Sequence, residues 1–177
     1  MDDGRQMRVE ENPVVEGKPV EVLVFELAGR RFGIHASEVR EIIRAVTIVP
    51  LPKAPPLIEG IINLRGRVIL VVDIRQRFGL PAKPLDASDH LIVGWTGEHL
   101  VAIRIDRAVE LARADGNAIE DAAGVLSEAD SAREVAVLPD GIVPIGDLRS
   151  LLSSLELSAS AGLLSAAPTN DGREGQS

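Results

Sequence analysis

One order of elements is written twice along this chain, and that constrains its fold more than any single motif. "VEVLVFELAGRRFGIHA" is two apolar runs joined at Gly29-Arg30, and "HLIVGWTGEHLVAIRID" is two more turning near Gly97. "GIINLRGRVILVVD" and "EVAVLPDGIVPIGD" are again run, turn, run, each closed by an aspartate and a short Asp-[Ile/Leu]-Arg segment. Gly29 and Gly97 lie 68 residues apart, and Asp73 and Asp147 lie 74 apart. Short strands at even spacing with glycine turns predict an all-β chain. Two approximate copies of about 70 residues predict two similar small β-barrels, with a boundary near 80–90.

Local chemistry fills in this frame. Ser37 can cap a helix, and Val39, Ile42, Ile43 and Val46 fall at helical spacing, so a short helix is expected near 37–43. Four prolines in "VPLPKAPPLIEG" exclude a central strand and predict an extended surface connection. Gly66 supplies the positive φ of a tight turn. Asp73 and Asp147 are expected to cap short helices at 74–78 and 147–156, the first stopped by Gly79 and Pro81. Residues 1–19 read as a flexible arm and the Ser/Gly-rich 158–177 as a disordered tail, leaving 20–157 as the folded unit.

Aromatics are scarce (three Phe, one Trp, no Tyr), so the core must be aliphatic. The net charge of −8 argues against nucleic acid, which needs clustered Lys and Arg. The charge is uneven. Residues 58–78 carry four arginines against Glu59 and Asp73, whereas 79–160 carry six basic and fourteen acidic groups. A small basic patch on an acidic chain suits a protein partner, and an acidic solvated surface is the plainer reading. The longest aliphatic run, Val68–Val72, is far below the roughly 20 residues of a membrane span, so no direct membrane insertion is expected. There is no cysteine, and the acidic N-terminus has no apolar signal region.

Enzyme constellations are each missing a part. His35, His90 and His99 lack metal-ligand spacing, no nucleophile elbow is present, and "GIINLRGR" lacks the Gly-Lys-Ser/Thr of a phosphate loop. Asp73 and Asp147 could be paired catalytic carboxylates, but helix capping, worth about 1 kcal/mol, explains each more simply. No catalytic residue, metal or cofactor is expected.

The stretch "VLVFELAGRRFGIHASEVREII", followed by "PLPKAPPLIEGIINLRGRVILVVDIRQRFGL", closely resembles the CheW family of chemotaxis coupling proteins. The match is carried by Phe32-Gly33-Ile34, Val39-x-Glu41-Ile42, Pro55–Gly60, Asn63-Leu64-Arg65-Gly66, Val72-Asp73-Ile74-Arg75 and Phe78-Gly79, and it continues more loosely over 89–157. The resemblance implies two packed five-stranded SH3-like barrels with short helices, and no catalysis. It implies two partners: the regulatory domain of the histidine kinase CheA and the cytoplasmic tip of methyl-accepting chemoreceptors. It places such a protein in the cytoplasm at receptor arrays. It assigns Val39, Glu41, Ile42 and Gly60 to the kinase contact, and Arg65, Ala108 and Leu111 to the receptor side. Pro144 and Gly146 depart from the unbroken aliphatics usual in the last strand.

Beside that assignment, Arg65 alone would be a solvated turn residue, and one of Val39 and Ile42 is expected in the core. Arg75 and Arg77 read as solvated helix positions, and Trp95 as packing at the barrel seam. Two other functions stay open: an adapter for pili or second-messenger control, and a small β-barrel ligand-binding protein or enzyme, which a closed polar pocket would favour.

Overall fold

The computed structural model describes residues 17–122 and 132–152. Most of the expected arm, and all of the expected 158–177 tail, lie outside the described residues. The strands are β1 (Val20–Leu27), β2 (Arg30–His35), β3 (Val39–Arg44), β4 (Ile58–Leu64), β5 (Arg67–Val72), β6 (His90–Trp95), β7 (Leu100–Ile105), β8 (Arg107–Ala114), β9 (Ile119–Asp121), β10 (Glu134–Leu138) and β11 (Gly141–Gly146). One α-helical turn, α1 (Leu148–Leu151), follows, and 3₁₀ turns sit at Ala36–Glu38, Arg75–Phe78 and Gly116–Ala118. The all-β expectation holds.

Two sheets form, and the two copies exchange strands between them. Sheet I runs β8-β1-β2-β11-β10-β9, and sheet II runs β3-β6-β7-β5-β4. Within each, an antiparallel hairpin from one copy meets a hairpin from the other through one parallel pair: β2 with β11, and β5 with β7. The outer strands are exchanged too, since β8 pairs β1 and β3 pairs β6. Each barrel is therefore built from both halves, and a cut near 80–90 does not separate the sheets. The short β9 makes sheet I six-stranded rather than five-stranded.

Three apolar clusters follow from this layout. Val22, Val24, Ala136, Val143 and Ile145 fill barrel I. Ile62, Ile69, Val71, Leu91, Val93 and Ala102 fill barrel II. A larger cluster joins Phe25, Leu27, Phe32 and Ile34 of sheet I to Leu70, Val72, Ile92, Val101 and Ile103 of sheet II, with Leu148 and Leu151 of α1 packed into it. The unbroken run Val68–Val72 now has its reason. Ile69 and Val71 face the barrel interior while Leu70 and Val72 face the other barrel, so from Ile69 onward both faces of the strand are buried.

The expected helix near 37–43 is a correction. Only Ala36–Glu38 turns, and Val39–Arg44 is strand β3, laddered to β6. The register shifts between Val39 and Glu41. That bulge changes which side the strand presents, so apolar residues at helical spacing serve two clusters. Val39 packs on the inter-barrel cluster and Ile43 on the barrel interior. β-branched side chains suit that pleated surface. Of the Asp73-capped helix expected over 74–78, a 3₁₀ turn forms at Arg75–Phe78 and ends at Gly79, whose φ is 62°; its N-cap is Ile74, not Asp73, although Asp73 Oδ1 accepts the Arg75 amide at 3.0 Å. Asp147 caps α1 by accepting a hydrogen bond from the Ser150 amide at 2.7 Å. Of the expected 147–156 helix only this turn is described.

Candidate functional site

The Asn63-Leu64-Arg65-Gly66 element is a two-residue hairpin. Leu64 pairs with Arg67, and Arg65 and Gly66 have φ of 50° and 82°. Both values being positive is the turn that matches the strand twist. The Asn63 Oδ1 accepts the Gly66 amide at 2.8 Å and braces it. Holding an arginine in the left-handed region costs about 1–2 kcal/mol, so the turn fixes Arg65 against its own preference.

The side chain is equally defined. Nη1 and Nη2 of Arg65 donate to Oε1 and Oε2 of Glu41, each at 2.9 Å. β3 and β4 are the two edges of sheet II, so this planar fork joins the β4–β5 turn to the opposite edge of the same barrel. Arg65 remains 75% exposed and can still meet a partner.

The other assigned residues fall into two groups. Ile42, 39% exposed, neighbours Glu41 on β3, whereas Val39 is half-buried against the core. Gly60 is a close-approach position. A Cβ there would stand 2.3 Å from the Val49 carbonyl oxygen. Val49 and Ile61 exchange two backbone hydrogen bonds at 2.8 and 2.9 Å beside it, which seats the proline-rich connection on β4. Ala108 and Leu111 lie on β8 of sheet I, away from the Arg65 turn in topology. Ala108 packs on the inter-barrel cluster, and Leu111 is 58% exposed. Trp95, expected at the seam, is exposed instead.

Sequence reasoning missed a buried charge cluster. Arg75 is 1% exposed, not a solvated helix position. It donates to Asp73 at 3.0 Å and Asp106 at 2.7 Å. Arg104 on β7 is 2% exposed and donates to Glu59 (2.7 Å), Asp73 (2.9 Å) and Asp89 (3.0 Å), and to the carbonyls of Lys83 and Pro84. Lys83 bridges Asp89 and Asp106. Asp106 also accepts the Ala28 amide at 2.6 Å, which ties the cluster to the β1–β2 turn of sheet I. Asp73 thus serves both buried arginines rather than the N-cap position expected of it. The one available signal was an arginine at an inward position of an otherwise apolar strand, "LVAIRI".

The pKa shifts follow from this geometry. Burial pushes Asp89 and Asp106 up, but hydrogen bonds, led by those from Lys83, outweigh it and hold both below the ordinary Asp value of 3.8. Burial dominates at Glu59 and raises it despite Arg104. Carboxylates depressed in the fold contribute stability above their unfolded pKa and lose it as pH falls through their folded values. Glu59 acts oppositely and offsets part of this. We expect the urea midpoint to fall from pH 6 to pH 3, and Asp89→Asn to flatten that fall. An Asp89→Asn variant with the wild-type pH profile would contradict it.

Among the described residues no group of His, Asp and Glu could hold a metal, and no helix is long and apolar enough to cross a membrane. A surface hollow of about 540 Å³ is lined by Glu21, His35, Ser37 and Arg113. Its acid and base already pair, Arg113 to Glu21 at 3.2 Å, so it offers no convergent polar set.

Comparison with known proteins sets these features in context. The CheW-like domain matches residues 21–156. The chemotaxis protein CheW of Treponema pallidum is 26% identical over 155 residues, covering 84% of this chain and 91% of that protein. The chemotaxis protein CheW of Rhizobium meliloti is 27% identical over 141 residues, covering 78% and 91%. The crystal structure of the scaffolding protein TtCheW from Thermoanaerobacter tengcongensis superimposes with a TM-score of 0.70 at 29% identity, covering 77% of this chain and 94% of that one.

Proposed function

Because this chain belongs to the family of the CheW-like domain, we propose that it couples a CheA-type histidine kinase to the cytoplasmic tips of methyl-accepting chemoreceptors, working at the membrane-bound receptor array. It is a non-catalytic chemotaxis coupling protein built on SH3-like barrels. The observation that carries the site reading is the Glu41–Arg65 fork. It locks one exposed edge of barrel II into a fixed shape beside the exposed Ile42. The kinase regulatory domain docks on that edge through Ile42 and the Gly60–Val49 crossing. The receptor tip docks beside Arg65 and on the β8 face of Ala108 and Leu111.

The test is receptor-stimulated kinase activity in a reconstituted system, with thermal melts alongside. Ile42→Glu is expected to keep its melt and weaken kinase binding at least about tenfold, because a charge enters a desolvated contact without a partner. Val39→Glu is not a clean probe, since Val39 packs on the core. Arg65→Ala should change stability by less than about 1 kcal/mol, as exposed pairs do, and weaken complex formation by about 1–3 kcal/mol. Lysine there should restore little, having no fork. Arg65→Ala with full stimulation would reduce Arg65 to a solvated turn residue.

A further inference from the structure

Strand β3 turns Arg40, Ile42 and Arg44 to solvent and keeps Glu41 and Ile43 half-buried. The fork from Arg65 brings the β4–β5 turn against this strand, with Arg67 exposed at the start of β5. The chain beyond β3 adds two exposed aliphatics, Val46 and Val49, the latter bridged to Ile61 of β4. This edge thus carries four arginines, Arg40, Arg44, Arg65 and Arg67; Arg65 occupies Glu41, and Asp86, beside Ala45–Thr47, forms no ion pair with the other three.

The guanidinium groups of Arg40, Arg44 and Arg67 form no hydrogen bond or ion pair among the described residues. The counterpart strand in the other barrel is different. β8 occupies in sheet I the place that β3 occupies in sheet II. Its arginines are neutralised across the β1–β8 pair, Arg107 by Glu26 at 2.8 Å and Arg113 by Glu21 at 3.2 Å. One edge is self-compensated, and the other keeps three guanidiniums without partners among the described residues, in a chain of net charge −8. No described residue neutralises those charges, so they project a local field opposite in sign to the rest of the molecule.

We propose that the β3 edge fits an acidic partner surface, an apolar contact on Ile42 ringed by Asp and Glu, and that Arg40, Arg44 and Arg67 steer its approach. This rests on the reading of that edge as the kinase-docking face, and names the chemistry of the surface that docks there. Charges at the rim of an interface act mainly on the association rate and its salt dependence, while the apolar centre holds the complex.

The experiment measures association and dissociation of the purified CheA-type regulatory domain at 50 and 500 mM NaCl. It compares wild-type protein, the triple variant Arg40→Gln/Arg44→Gln/Arg67→Gln, and Ile42→Glu. Wild-type association is expected to slow about tenfold or more between the two salts. The triple variant should match the slow rate at both salts, with dissociation changed less than about threefold. If it keeps wild-type rates and salt slope while Ile42→Glu fails to bind, the acidic-partner proposal is wrong and the docking reading stands. If Ile42→Glu also binds normally, the docking reading itself fails, and the proposal with it. Two controls identify other occupants. Salt-sensitive binding to phosphatidylglycerol vesicles, with no arginine effect on the kinase, would assign the edge to an anionic lipid surface. Arginine-dependent self-association in sedimentation would assign it to a second copy. Either would overturn the proposal.

Discussion

Arg104→Leu is expected to lower the unfolding free energy by about 3–5 kcal/mol, the range for breaking a buried charge network by removing one partner. The guanidinium serves three carboxylates and two backbone carbonyls while itself almost wholly buried. Among the described residues, removing it takes from Glu59 its paired cation and leaves Asp73 paired with Arg75 and Asp89 with Lys83. Asp89, with no exposed surface, cannot recruit bulk water in exchange. Arg104→Lys should recover only part of the loss, because one ammonium cannot span five acceptors. Equilibrium urea unfolding at pH 7 decides the matter. A midpoint within error of wild type for Arg104→Leu would mean that the cluster contributes nothing net.

Gly60→Ala is expected to cost about 2–4 kcal/mol. The new Cβ would overlap the Val49 carbonyl oxygen at 2.3 Å and the Ile48 side chain at 2.8 Å. Relief requires moving the 48–49 backbone, at the expense of the two Val49–Ile61 hydrogen bonds, so overpacking and bond loss add. Gly66→Ala is the control. Gly66 has a φ of 82°, but a methyl added there would meet nothing within 4 Å, so only backbone strain of about 1 kcal/mol applies. The expected order of melts is wild type, Gly66→Ala, Gly60→Ala. Kinase binding by the Gly60 variant, measured below its melting temperature, should fall as well, because the connection it displaces borders the docking edge. Equal melts for the two variants would show that the close approach is relaxed at little cost.

Several assignments were readable because they depend on nearest neighbours in the chain. A turn declares itself through Gly66 and Asn63, and a cap through Asp147 and Ser150. The docking residues came from the resemblance, and the structure adds a relation between two of them. Glu41 and Arg65, read for different partners, are the two ends of one fork. Spacing alone could not pair them, since 24 residues and a barrel closure separate them. The helix expected near 37–43 failed for a related reason. Spacing of three and four residues also arises when a bulged strand supplies two cores, and only the β6 ladder selects between those outcomes.

The sequence by itself determined the all-β class, the hairpins with their glycine turns, the aliphatic core and the twofold order of elements, because each is set by local propensity and by periodicity along a strand. Tertiary structure decided the rest. Parallel pairing of β2 with β11 and of β5 with β7 interleaves the two copies into shared barrels. That pairing carries Asp73, Arg75, Lys83, Asp89, Arg104 and Asp106 into one buried cluster. In the chain those residues are charges 2 to 33 positions apart, with no pattern to mark them. A charge's partner is chosen by which strands meet, and strand pairing across a barrel is a long-range outcome that no window of residues contains.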